Sequence, residues 1–111
     1  MMARNMVLAA AMAIAAVGWI GAASAADYQL VIKNHRFDPS SLTVPAGKRV
    51  KLVIKNADNT PEEFDSDDLH REKVIAGGGR GTVYIGPLAA GTYKFMGEYH
   101  EATAQGRIVA K

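Results

Sequence analysis

From residue 28 onward, apolar and polar residues alternate in short stretches with a period of two. That is the spacing of strands with one buried and one wet face. The clearest stretch is residues 49–56, where Val50, Leu52 and Ile54 fall on one side and Lys51 and Lys55 on the other. Residues 28–33 (YQLVIK) predict a first strand, and residues 41–44 (SLTV) a second. Between them Asn34 opens a turn that Phe37-Asp38-Pro39 closes, and Pro45-Ala46-Gly47 ends the second strand. Residues 56–61 (NADNTP) form a loop by composition, and residues 62–66 predict a short strand around Phe64. Residues 67–73 are ambiguous, with Asp67 placed to cap a single helical turn before Glu72 and Lys73. The glycine cluster at 77–81 reads as a loop or bulge. Residues 82–85 predict a strand stopped by Gly86-Pro87, Tyr93 and Phe95 alternate in the next, and residues 106–110 form the last. Seven or so short strands divided by turn signals predict an all-β fold, an antiparallel Greek-key β-sandwich. Val50, Leu52, Ile54, Tyr93 and Phe95 are expected in one core.

The pattern before residue 26 is different. Arg4 is the only charge there, an apolar run extends from Met6 to Ile20, and Ala23-Ser24-Ala25 supplies a small-residue cleavage pattern. This is the layout of an export signal, so residues 1–25 are expected to be a signal peptide cut after Ala25. Residues 26–111 are then one exported domain, with the bacterial periplasm as its expected location. The rival is an uncleaved anchor, since the uncharged stretch from Asn5 to Ala26 is long enough to span a bilayer.

Composition removes several chemistries. The chain has no Cys, so a disulfide framework, a four-cysteine zinc site, an iron–sulfur cluster and a thiolate-ligated copper are excluded. With 13 Lys plus Arg against 11 Asp plus Glu, it has no basic excess for neutralising phosphates, and nucleic acid is not an expected partner. Gly77-Gly78-Gly79 lacks the lysine and the strand-to-helix context of a phosphate loop.

The stretch GTYKFMGEYHEATAQGRIV carries the most chemistry. Met96, the only Met after residue 25, is a soft thioether four residues before His100 in a loop between strands, a combination suited to copper. The plainer alternative for Met96 is a place in the core. Seven acids lie between Asp58 and Glu72, and most read as a solvated rim. Glu62 and Glu63 differ, because they lie between Pro61 and Phe64. In a strand one of the pair points inward while its neighbour stays wet, and an inward carboxylate needs a cation or donors. His35, in the turn between the first two strands, is a further candidate ligand; His70 looks exposed and ranks below it.

Together the segments FDPSSLTVPAGKRVKLVIKNADNTPEEFDS and IGPLAAGTYKFMGEYHEATAQGRIVAK resemble a cupredoxin from Tyr28 to Lys111. The likeness is greatest to the small periplasmic cupredoxin-like components of bacterial ferrous-iron transport systems. In blue-copper members a His follows the Pro after the N-A-D turn, and the last loop carries Cys, then His, then Met. By that placement Glu62 stands at the first His, Gly97 at the Cys, His100 keeps the His, and Gln105 falls near the axial Met. The resemblance implies a metal site drawn from His100, Met96, Glu62 or Glu63, and His35, holding copper or iron. It implies a periplasmic metal-binding protein that supports iron uptake beside the membrane components of a transporter. Two other functions compete: a copper-dependent ferroxidase, and a metal-free β-sandwich used for protein contacts. Without a thiolate, any bound copper is expected not to be blue.

Overall fold

The computed structural model describes residues 26–111; the expected signal peptide, and the cut after Ala25, lie outside the described residues. Nine strands follow one another: β1 (Ala26–Lys33), β2 (Arg36–Asp38), β3 (Ser41–Val44), β4 (Val50–Asn56), β5 (Glu62–Ser66), β6 (Arg71–Ile75), β7 (Arg80–Ile85), β8 (Gly91–Gly97) and β9 (Gln105–Ala110). They form two sheets, ordered β2-β1-β4-β7 and β3-β9-β8-β5-β6, and the two pack as a sandwich. Among the described residues no helix is long and apolar enough to cross a membrane.

The alternation read from the sequence fills the space between the sheets. Val50, Leu52 and Ile54 of β4 are fully buried, as are Leu30 and Ile32 of β1. Phe37, Phe64 and Phe95 form an aromatic cluster, with the Phe37 ring edge-on to Phe95 at a centroid distance of 4.9 Å. Burying each such side chain is worth about 1.5–3 kcal/mol, so this cluster anchors β5 and β8 to the core. Tyr93 is only half-buried, because its hydroxyl reaches out to donate to the Ala89 carbonyl at 2.7 Å.

Three details depart from the sequence expectation. Both sheets are mixed: β1 runs parallel to β4, and β3 parallel to β9. A period of two fixes which face a residue occupies and says nothing about the direction of the neighbouring strand. The ambiguous segment 67–73 is not a helical turn. It is a tight turn followed by β6, whose residues are all exposed except Ile75. An edge strand with so little buried surface has no alternation to read. Finally, the turn after β1 is a two-residue hairpin loop, Asn34-His35, leading straight into β2.

Candidate metal centre

Three of the sequence candidates meet at one end of the sandwich. Glu62 opens β5, and the strand's alternation turns it inward along with Phe64 and Ser66; it is 1% exposed. Such a carboxylate requires donors, and two backbone N–H groups supply them. Its Oε1 accepts from the backbone N–H of Glu63 at 3.0 Å and of Tyr99 at 2.9 Å. Its Oε2 lies 2.6 Å from His100 Nδ1. His100 ends a single 3₁₀ turn, Glu98–His100, directly after β8.

His35 approaches from the opposite sheet. Its ring stacks on that of His100, with centroids 3.6 Å apart and planes 12° from parallel. The hairpin that places it is unusual. Both Asn34 (φ 53°) and His35 (φ 57°) are left-handed, as a two-residue loop with this twist requires. Asn and His adopt that conformation more readily than most residues, though Gly would hold it at no steric cost. Asp58 holds the loop: its two carboxylate oxygens accept from Asn34 N–H at 2.8 Å and His35 N–H at 2.9 Å. Those N–H donors, chiefly that of His35, lower the Asp58 pKa from its ordinary 3.8 against the opposing effect of burial. Asp58 is itself set by Asn56, a buried side chain whose Oδ1 accepts the Asp58 N–H at 3.0 Å. The Thr103 hydroxyl completes the clamp by donating to the His35 carbonyl at 2.6 Å.

The result is a His–Glu–His group whose candidate ligand atoms all lie within 4.8 Å of one another. His35 Nδ1 is buried and has no hydrogen-bond partner; the nearest carboxylate oxygen, Asp58 Oδ2, is 3.5 Å away. A buried polar atom without a partner is uncommon and costly. The His35 ring that carries it stacks on a second imidazole and groups with the Glu62 carboxylate, a donor set that suits a divalent transition metal.

The other candidates lie elsewhere. Glu63 faces the outer side of β5, where it groups with Glu72 and Glu98. In that group Glu98 is pushed up to about 7 by hydrogen bonding to, and repulsion from, Glu63, with Asp65 adding to both. Met96 falls between the inward-facing Phe95 and Gly97, so it points outward and lines a shallow groove with Asp65, Lys94 and Gln105. The structure thus brings Glu62, His100 and His35 together and leaves Glu63 and Met96 outside the group. His70 is exposed, in the turn before β6. Asp58, grouped in the sequence with the solvated acids, has a positioning role that the NADN turn alone did not reveal. The available signal was Asn-His between two strands, a loop that needs an external anchor.

A sandwich of these two sheets has the cupredoxin-like architecture. The chain belongs to the cupredoxin-like domain family, whose model matches residues 5–110. It is 41% identical over 83 residues to the uncharacterized protein RP394 of Rickettsia prowazekii (strain Madrid E), covering 75% of this chain and 66% of that one. Its fold is similar to auracyanin A, a blue copper protein from Chloroflexus aurantiacus, with TM-score 0.71, 19% identity and coverage of 79% of this chain and 100% of that one. It is also similar to a purple cupredoxin from Nitrosopumilus maritimus, with TM-score 0.60, 21% identity and coverage of 77% and 100%. These two likenesses show a shared fold.

Proposed function

We propose that this chain is a periplasmic metal-binding protein that takes up copper or iron at His35, Glu62 and His100 and serves iron uptake. The single observation that carries this reading is the His35–Glu62–His100 group, whose candidate ligand atoms lie within 4.8 Å of one another and in which His35 also keeps a buried, unpartnered Nδ1. Two imidazoles with one carboxylate are a set used for iron(II), and imidazole also suits copper. The naming of similar folds as copper proteins favours copper, while a carboxylate in place of a thiolate favours a harder ion. Either metal would supply one-electron exchange at the site. The chain's own contribution is positional. Asp58 and Thr103 fix His35, and the Glu63 and Tyr99 N–H groups fix Glu62. Export with cleavage after Ala25 belongs to the same proposal, as do membrane components of an iron transporter as partners.

A competition titration of the exported domain with Cu(II) and Fe(II), with His100→Ala as control, tests the reading. Parent protein should bind, and the variant should bind roughly tenfold to a hundredfold more weakly or worse, at least the loss that follows removal of a residue hydrogen-bonded to a ligand. Equal affinity would place any metal elsewhere, and no binding by the parent would leave the sandwich as an interaction module. Oxygen consumption with Fe(II) that depends on added copper would make the protein a ferroxidase.

A further inference from the structure

Gly97 ends β8 and faces inward beside the His–Glu–His group. Its backbone does not call for glycine: φ −95° and ψ 108° are extended values that any residue adopts. Space does. A Cβ at this position would lie 2.6 Å from Glu62 Cδ and 2.9 Å from Glu62 Oε1, with Ala104 Cβ at 2.7 Å on another side. Retreat of the Glu62 carboxylate would break its contacts with two backbone N–H groups and His100. A Cβ at residue 97 and the Glu62 carboxylate therefore compete for one volume.

We propose that Gly97 is the specificity-determining residue of the centre. By lacking a side chain it gives the anionic ligand position to the Glu62 carboxylate on β5 and denies it to any side chain on β8. The site is thereby set for borderline and harder divalent ions, with oxygen and nitrogen donors, and against Cu(I), which prefers sulfur. This rests on the metal reading above, but its steric half can be measured without metal.

The test is a double-mutant cycle over Gly97→Cys and Glu62→Ala, read first as thermal midpoint of the metal-free full chain and then as the visible spectrum after Cu(II) loading. Gly97→Cys should lower the midpoint markedly with Glu62 present and much less in the Glu62→Ala background. Gly97→Cys failing to fold alone, while the double variant folds, counts the same way. The double variant loaded with Cu(II) should gain a thiolate-to-copper absorption that the parent lacks, and Gly97→Cys alone should not. Equal losses of midpoint in the two backgrounds would overturn the proposal, as would a double variant that binds Cu(II) without the new absorption, or a single variant that shows it. If neither cysteine variant folds, the cycle is run with Gly97→Ala in an Ala104→Gly background, which removes the second close neighbour; equal losses there overturn the proposal too. Failure of the parent to bind Cu(II) or Fe(II) would instead defeat the metal reading, with the metal-free coupling still measured in its own right.

Discussion

Glu62 is the residue on which the candidate centre depends, because it joins the chain's own stability to the chemistry of the site. Glu62→Ala strands two backbone N–H groups and the His100 ring nitrogen, and should cost about 2–4 kcal/mol in urea denaturation. Glu62→Gln keeps an acceptor oxygen and should cost far less. Asp58 supports the site at one remove. Its lowered pKa means that it stabilises the folded state above about pH 3.8, and that this contribution is lost as pH falls through the lowered folded value. Amide exchange at Asn34 and His35 should accelerate across that acid range, and Asp58→Asn should bring the acceleration to neutral pH. An unchanged exchange rate in the variant would show that the loop holds itself. At this scale the sequence was informative about residue type and less so about direction. It marked Glu62 and Glu63 as a pair with one member turned inward, but only the register of β5 against β8, Phe64 opposite Gly97, decides for Glu62. It marked Met96 by its sulfur, yet Met96 lies one position from Gly97 in a strand and so on the other face.

The hairpin between β1 and β2 is the element where function and stability oppose one another. His35 holds φ 57° at a position that glycine would occupy without strain. His35→Gly should therefore leave stability roughly unchanged, relief of the left-handed conformation offsetting the added unfolded-state entropy, while metal affinity falls by tenfold or more. A variant that loses both together would show that the stacked His35 ring is a structural contact with His100. The strands themselves were legible wherever one face is buried and the other wet, as in β4. The edge strand β6 was not, since four of its five side chains are exposed. Neither were the parallel pairings, which the chain reaches by crossing between sheets. Nor was the approach of the hairpin to the last loop, a contact between residues 35 and 100 with no local signature.

For the molecule as a whole, the outer face beside the centre carries a titration of its own. Glu98 shares its environment with Glu63 and Asp65, and its pKa of about 7 exceeds the ordinary 4.5. A raised carboxyl pKa means that the folded state keeps a proton the unfolded chain has lost. Stability should thus fall as pH rises from about 4.5 through 7, and Glu98→Gln should flatten that decline. A pH profile of the denaturation midpoint that is identical in parent and variant would contradict this. The proposed export is tested at the same scale: mass spectrometry of the mature protein should begin at Ala26, and a form retaining residues 1–25 would make it a membrane-anchored domain. The most direct measurement of the centre counts its nitrogen ligands. Electron paramagnetic resonance of the Cu(II)-loaded parent should show hyperfine coupling to two imidazole nitrogens, reduced to one in both His35→Ala and His100→Ala. Identical spectra in parent and both variants would contradict a centre built from His35, Glu62 and His100.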